Sequence, residues 1–299
     1  MIKERSLNWV KISNNLIAAL ARIRWGGHCL ISLYISLISG MVIALQYNPS
    51  LPFYSTITFE LAAPFGTFWR ALHFYSSQAC FLFLIFHFIV VIIKNQHSLT
   101  RSSWIRLSLS LPVGLLLLFT GYILRGDATG TSAGAIAEHI TLSFPFLGNT
   151  LNDLLFAGSK SGVLRIYANH LITLVLIGLF CIWPHIKQYS ARWTDHLMLI
   201  LCILCISVFI IAPMEPEHFG LLRISGPWFF IGLQELLRHL PVFWAGIFFP
   251  AILMGAMLFF PLTQKYRKTY IALLSIWVSI YLVLSFTDPW LKQVIAASH

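Results

Sequence analysis

Long runs of apolar residues recur along the chain, separated by short polar joints. Seven are long enough to cross a bilayer, at about residues 28–46, 70–93, 107–124, 167–186, 197–213, 240–262 and 269–287. Each predicts a helix, because a backbone in lipid must satisfy its hydrogen bonds within its own segment. Residues 125–166 form a longer joint. Its His139-Ile-Thr-Leu-Ser-Phe-Pro and Asn149-Thr-Leu-Asn-Asp-Leu-Leu-Phe stretches predict short amphipathic helices lying along the membrane surface. Ahead of the first run, Trp9, Ile12, Leu16, Leu20 and Ile23 recur at helical spacing among basic residues, which predicts another surface helix. Residues 1–24 lack the short apolar core and small-residue cleavage site of a signal peptide.

Composition agrees with a bilayer. The chain is 58% hydrophobic and 10% charged, with a mean hydropathy of +0.79. A soluble domain carries about 25% charged residues. The net charge of +10 follows topology rather than nucleic-acid binding. With the N-terminus in the cytoplasm, the inner joints hold 13 of the 20 basic residues, among them Lys3, Arg5, Arg24, Lys94, Arg101, Lys187 and Arg192. Only Glu4 and Asp195 are acidic there. That is the positive-inside pattern. The five cysteines all fall in apolar runs, and no CxxCH or paired CxxC is present.

Four histidines stand out against this background. His73 and His87 lie 14 residues apart in the second run, and His170 and His185 lie 15 apart in the fourth. At about 1.5 Å per residue each pair spans roughly 21–23 Å. The second and fourth runs cross in the same direction, so His73 and His170 share one depth and His87 and His185 the other. Imidazole is a good axial ligand to haem iron, and two of them leave no position open for a gas. The four therefore predict two bis-histidine haems stacked across the membrane. Fifteen residues overshoot four helical turns by about 60°. Pro184, which removes a backbone hydrogen bond, is the expected place of adjustment. Gly40, Gly114 and Gly121 would let a porphyrin or a neighbouring helix approach closely. Arg70, three residues before His73, would reach a haem propionate or anchor the interface.

With these residues in place, the chain resembles the cytochrome b subunit of Rieske/cytochrome b (bc-type) complexes over roughly residues 20–262. Arg70-Ala-Leu-His73 followed by His87, with His170 and His185 downstream, is the strongest match. Gly121-Tyr122-Ile123-Leu124 resembles the family's Gly-Tyr-x-Leu-Pro-Trp element at the quinol-oxidation site. Leu45-Gln46-Tyr47-Asn48-Pro49 resembles the end of its first helix, and Pro227-Trp228-Phe229-Phe230 its Pro-Glu-Trp-Tyr element. The 15-residue spacing is similar to the photosynthetic branch, here as one chain. Two departures stand out. Leu124 is followed by Arg125-Gly126 instead of Pro-Trp, and no glutamate separates Pro227 from Trp228.

The resemblance implies an all-α membrane protein of seven transmembrane helices. Residues 1–190 would form an N-terminal di-haem four-helix domain, and residues 191–299 a C-terminal three-helix quinol-site domain. It implies two b-type haems on His73, His170, His87 and His185, with Arg70, Gly40 and Gly121 around them. Quinol would bind between Tyr122 and Pro227-Trp228, with Tyr122 and Glu235 catalytic and Glu235 replacing the lost glutamate; Glu215 and Glu217 are the other acids nearby. Ser32 stands where the photosynthetic branch carries a haem-bearing cysteine, so no further covalent haem is expected. The inner quinone could meet Arg24, His28, Asp195 or His196.

The expected activity is that of a membrane quinol:cytochrome c-type oxidoreductase subunit in a bacterial inner membrane. One electron of quinol would go to a Rieske iron–sulfur protein or a c-type cytochrome subunit, and the other across the two haems. The expected setting is a homodimer within a larger complex. A second reading is a di-haem membrane anchor linking quinone to a different dehydrogenase or a multihaem cytochrome c. A third is a haem-free transporter or scaffold with structural histidines.

Overall fold

The computed structural model describes residues 20, 22–94, 99–156, 162–189, 191–218, 225–259 and 267–287. Among them there is no strand; the fold is helical. Five helices have the length and apolar character to cross a membrane: Trp25–Ala44, Gly66–Ile93, Arg101–Ile123, Gly162–Ile186 and Lys268–Phe286. The remaining two predicted stretches form shorter apolar helices, Trp193–Phe209 and Trp244–Phe259. The first stops where Ile210 turns extended ahead of Pro213. The second begins just past Pro241, a residue that cannot continue a preceding helix. The surface helix expected over residues 1–24 falls almost wholly outside the described residues.

The predicted surface segment is helical as expected. Ala128–Leu142 and Gly148–Leu155 are two helices joined by a tight turn. Phe146 in that turn has a positive φ of 63° and is fully exposed.

By packing, the chain forms two compact units that interleave along the sequence. One comprises Met1–Leu45, Phe65–Thr100 and Trp183–Ala212; the other comprises Gln46–Pro64, Arg101–Ile182 and Pro213–His299. The division expected at residue 190 instead follows chain order.

The first unit is built on the pairing of helix Trp25–Ala44 with Gly66–Lys94. Its centre is Ile31, Ile35, Leu72 and Ile203, with Tyr34, Phe68, Trp69 and Leu204 packed around them. Ser32, Ser39 and Ser76 are fully buried. Ser39 and Ser76 return their hydroxyls to carbonyls four residues earlier, at 2.8 and 2.6 Å. Small side chains of this kind let helices approach closely where no water is available to drive packing. Buried Arg70 donates to the carbonyl of Ala212, past the end of helix Leu197–Phe209. Cys29 Sγ and Cys80 Sγ lie 3.8 Å apart.

The second unit is tied by a buried polar knot at the end of helix Ser110–Ile123. Asp127 is fully buried and N-caps helix Ala128–Leu142, accepting from Gly130 N at 2.8 Å. It also accepts from Thr129 Oγ1 at 3.0 Å and Glu215 N at 3.0 Å, and pairs with Arg125 Nη2 at 2.8 Å. Arg125 Nη1 reaches Pro213 O at 3.1 Å. Between them Gly126 has φ +69°, and a Cβ there would stand 2.5 Å from Phe53 N. Only glycine fits both the left-handed backbone and the close approach. Elsewhere in the unit, Tyr281 Oη donates to Phe229 O at 2.7 Å, and Gly232 lies directly against the Tyr281 ring. Large apolar residues along helix Arg267–Thr287, among them Leu273, Ile276 and Ile280, are exposed, as lipid-facing residues are.

Removing one partner of a buried ion pair costs about 3–5 kcal/mol, because it strands the other charge. Asp127→Ala also removes a helix cap. We expect it to lower the thermal unfolding midpoint of the detergent-solubilised protein far more than an exposed control such as Asp195→Ala. Equal midpoints would show that the knot is not stabilising.

Candidate functional site

Helix Gly66–Lys94 carries His73 and His87 about four turns apart. His73 is held by helix Trp25–Ala44. Its Nδ1 lies 2.9 Å from Ser36 O. A carbonyl can only accept, so Nδ1 carries the proton and donates. Nε2 then keeps its lone pair. One turn beyond Ser36, Gly40 lies against the same ring. A Cβ at Gly40 would stand 2.8 Å from His73 Cε1, closer than any real contact.

His87 meets the other end of the same helix. A Cβ on Gly26 would stand 3.1 Å from His87 Cε1. Gly26 and Gly40 are 14 residues apart, the spacing of His73 and His87. Two antiparallel helices therefore set a glycine against each histidine. His87 and His185 face each other with ring centroids 6.1 Å apart and planes tilted by 49°. Two metal–imidazole bonds of about 2 Å each, plus the offset of each ring centre from its nitrogen, come to about 6 Å. The gap fits one bis-imidazole metal centre. Tyr189 packs on His185 at 4.7 Å.

His170 lies in a π turn, Asn169–Thr173, inside the long Gly162–Ile186 helix. A π turn holds one residue more than an α turn. It takes up the one residue by which 15 exceeds 14. The adjustment expected at Pro184 thus falls at His170, and helix Leu174–Ile186 runs through Pro184. Asn169 Nδ2 donates to Leu154 O at 3.1 Å and Leu155 O at 3.3 Å, anchoring the turn to the end of helix Gly148–Leu155. Thr120 Oγ1 lies 2.9 Å from His170 Nδ1. Thr120 already donates its proton to Leu116 O at 2.7 Å. It must accept from His170, so again Nδ1 is the protonated nitrogen and the lone pair lies on Nε2. A Cβ on the next residue, Gly121, would stand 3.0 Å from His170 Cε1.

These features fit haem in three ways. Three of the four histidines have a glycine against the ring. His73 and His170 are fixed in the tautomer that offers Nε2. His87 and His185 are spaced for one iron. Gly40 and Gly121, predicted from sequence, lie where a close approach is needed. Gly26, Ser36 and Thr120 were not predicted. The 14-residue glycine spacing was the available signal for Gly26; the hydrogen-bonding roles of Ser36 and Thr120 left none. Arg70 is buried and bound to Ala212 O rather than standing at an exposed surface.

The other predicted residues lie in two groups. Arg125 stacks 4.2 Å over the Tyr122 ring. Phe119 and Phe230 meet at 5.1 Å, which brings the Pro227-Trp228-Phe229-Phe230 segment to helix Ser110–Ile123; Trp228 is half exposed. Glu235 is buried on helix Ile231–His239, paired with Arg238 and 3.3 Å from His239 Nε2. Glu215 offers its backbone N–H to Asp127, and Glu217 accepts from Tyr54, pushing that hydroxyl's pKa up. In the first unit, Arg24 pairs with Asp195 at 2.9 Å, and His28 and His196 meet edge to face at 4.8 Å. A Cβ on Gly27 would stand 2.6 Å from His196 Nε2, so that glycine admits the ring.

Several known proteins resemble this chain in sequence or fold. A family described as "Cytochrome b(N-terminal)/b6/petB" matches residues 78–217. The cytochrome b of Bugula neritina is 22% identical over 276 residues, covering 80% of this chain and 74% of its own. The cytochrome b6 of Heliomicrobium gestii is 25% identical over 166 residues, covering 54% of this chain and 78% of its own. A chain of a hyperthermophilic respiratory Complex III shares the fold, with a TM-score of 0.68 at 18% identity over 88% of this chain and 82% of that one. Residues 78–217 thus match the cytochrome b N-terminal/b6 family, and over most of its length the chain shares the fold of a Complex III chain.

Proposed function

We propose that the chain is the di-haem cytochrome b of a quinol-oxidising bc-type respiratory complex, in a bacterial inner membrane with its N-terminus in the cytoplasm. The observation that carries this reading is the set of four imidazoles spaced 14 and 15 residues apart, three of them backed by glycine. His73, His170, His87 and His185 would hold two haem b groups, which would supply one-electron chemistry at two depths. His87 with His185 would hold the inner one. The pairing of His73 with His170 for the outer one rests on sequence register. Ser36 and Thr120 hold their rings' Nδ1 protons, so the lone pair that a ligand would use lies on Nε2. The glycines leave the space beside the His73, His87 and His170 rings free of a side chain of their own.

At the outer face, Tyr122 would orient quinol, its ring fixed by Arg125. Trp228 and Pro227 would form the facing wall. Glu235 would take a quinol proton on Oε1, and His239 Nε2, whose side chain is 66% exposed, would pass it to water. Arg238 keeps the carboxylate oriented. A Rieske protein or c-type cytochrome would accept the first electron. At the inner face, Arg24, Asp195, His28 and His196 form the polar cluster where quinone would be reduced.

Three outcomes check this reading. The purified wild-type chain should carry two haem b per polypeptide in a pyridine haemochrome assay; none would overturn it. Gly40→Val should lose one haem, because its Cβ would fall 2.8 Å from His73, while Gly255→Ala, with open space around it, should keep both. Retention of two haems in Gly40→Val would remove His73 from the ligand set. In the intact complex, Glu235→Gln should slow quinol-driven haem reduction about 100-fold or more at unchanged haem content, the usual range for a lost acid–base group. An unchanged rate would leave Glu235 a structural ion-pair partner.

A further inference from the structure

Thr120 occupies an unusual position for a threonine inside an apolar helix. Its hydroxyl proton is committed to its own helix, at 2.7 Å from Leu116 O, with Leu117 O at 3.2 Å. Its remaining hydrogen-bonding capacity is as an acceptor, and it is turned onto His170 Nδ1 at 2.9 Å. The residue is buried, so no water competes for that bond. The neighbouring Gly121 lets the ring come this close. Asn169 fixes the backbone of the π turn from the other side. Ring and backbone are thus held by separate hydrogen bonds.

An acceptor on Nδ1–H draws that proton outward and leaves more electron density on Nε2. A more basic axial imidazole favours the oxidised, more positive metal and so lowers a reduction potential. We propose that Thr120 is a positioning residue that fixes the tautomer of His170 and holds down the reduction potential of the haem His170 would ligate. This rests on the di-haem reading above. The ligand itself is His170; Thr120 acts through it.

The test is a potentiometric titration of the purified full chain, followed at the b-type α-band and by low-spin EPR. Thr120→Val keeps the shape and removes the acceptor. It should keep two haems and raise one midpoint, with a shift of that haem's EPR signal, while the other midpoint stays in place. Thr120→Ser keeps the acceptor and should stay close to wild type on both. Two unmoved midpoints in Thr120→Val would overturn the inference, as would an equal shift in Thr120→Ser. A wild-type chain without haem would overturn the functional reading as well, so the two failures are distinguishable.

Discussion

A histidine ring among apolar helices must satisfy one nitrogen, and it can then leave the other to a metal. This constraint organises the site. His73 gives its Nδ1 proton to Ser36 O, and His170 gives its own to Thr120. Each bond is possible because the neighbouring helix comes very close, and that approach requires glycine at Gly40 and Gly121. Burying an imidazole without a partner would be costly. Giving it one at Nδ1 lowers that cost and at the same time selects the tautomer with its lone pair on Nε2.

Much of this was legible in the sequence. The four histidines, their spacing, and Gly40 and Gly121 follow from helical periodicity and from the need for small residues between helices. The surface helices over 128–155 follow from amphipathic patterning. What remained hidden depends on contacts between distant segments. Thr120 reads as an ordinary polar residue until His170 is placed beside it. Arg70 reads as a residue that reaches a haem propionate or anchors the interface, and its buried contact with Ala212 O is visible only in the fold. The register adjustment was assigned to Pro184, the residue with the obvious backbone defect. It occurs in a π turn at Asn169–Thr173, where no single residue type announces it. Hydropathy also does not register where Ile210 turns extended and ends helix Leu197–Phe209.

The two departures from the family pattern have different physical consequences. Arg125-Gly126 stands in place of a proline and a tryptophan, and Arg125 forms a buried ion pair with Asp127 around a glycine of positive φ. The result is a rigid corner that also orients Tyr122. At Pro227-Trp228 the glutamate is absent, but a buried carboxylate stands further along at Glu235, joined to an exposed histidine. This contact links a buried carboxylate to a ring that reaches solvent.

The most direct measurement of the central claim is whether iron in the purified protein has imidazole in both axial positions. Low-spin EPR of the oxidised protein should resolve two bis-imidazole signals, and carbon monoxide added to the reduced protein should leave the spectrum unchanged. A high-spin signal, or a carbon monoxide adduct formed by the intact protein, would contradict the account.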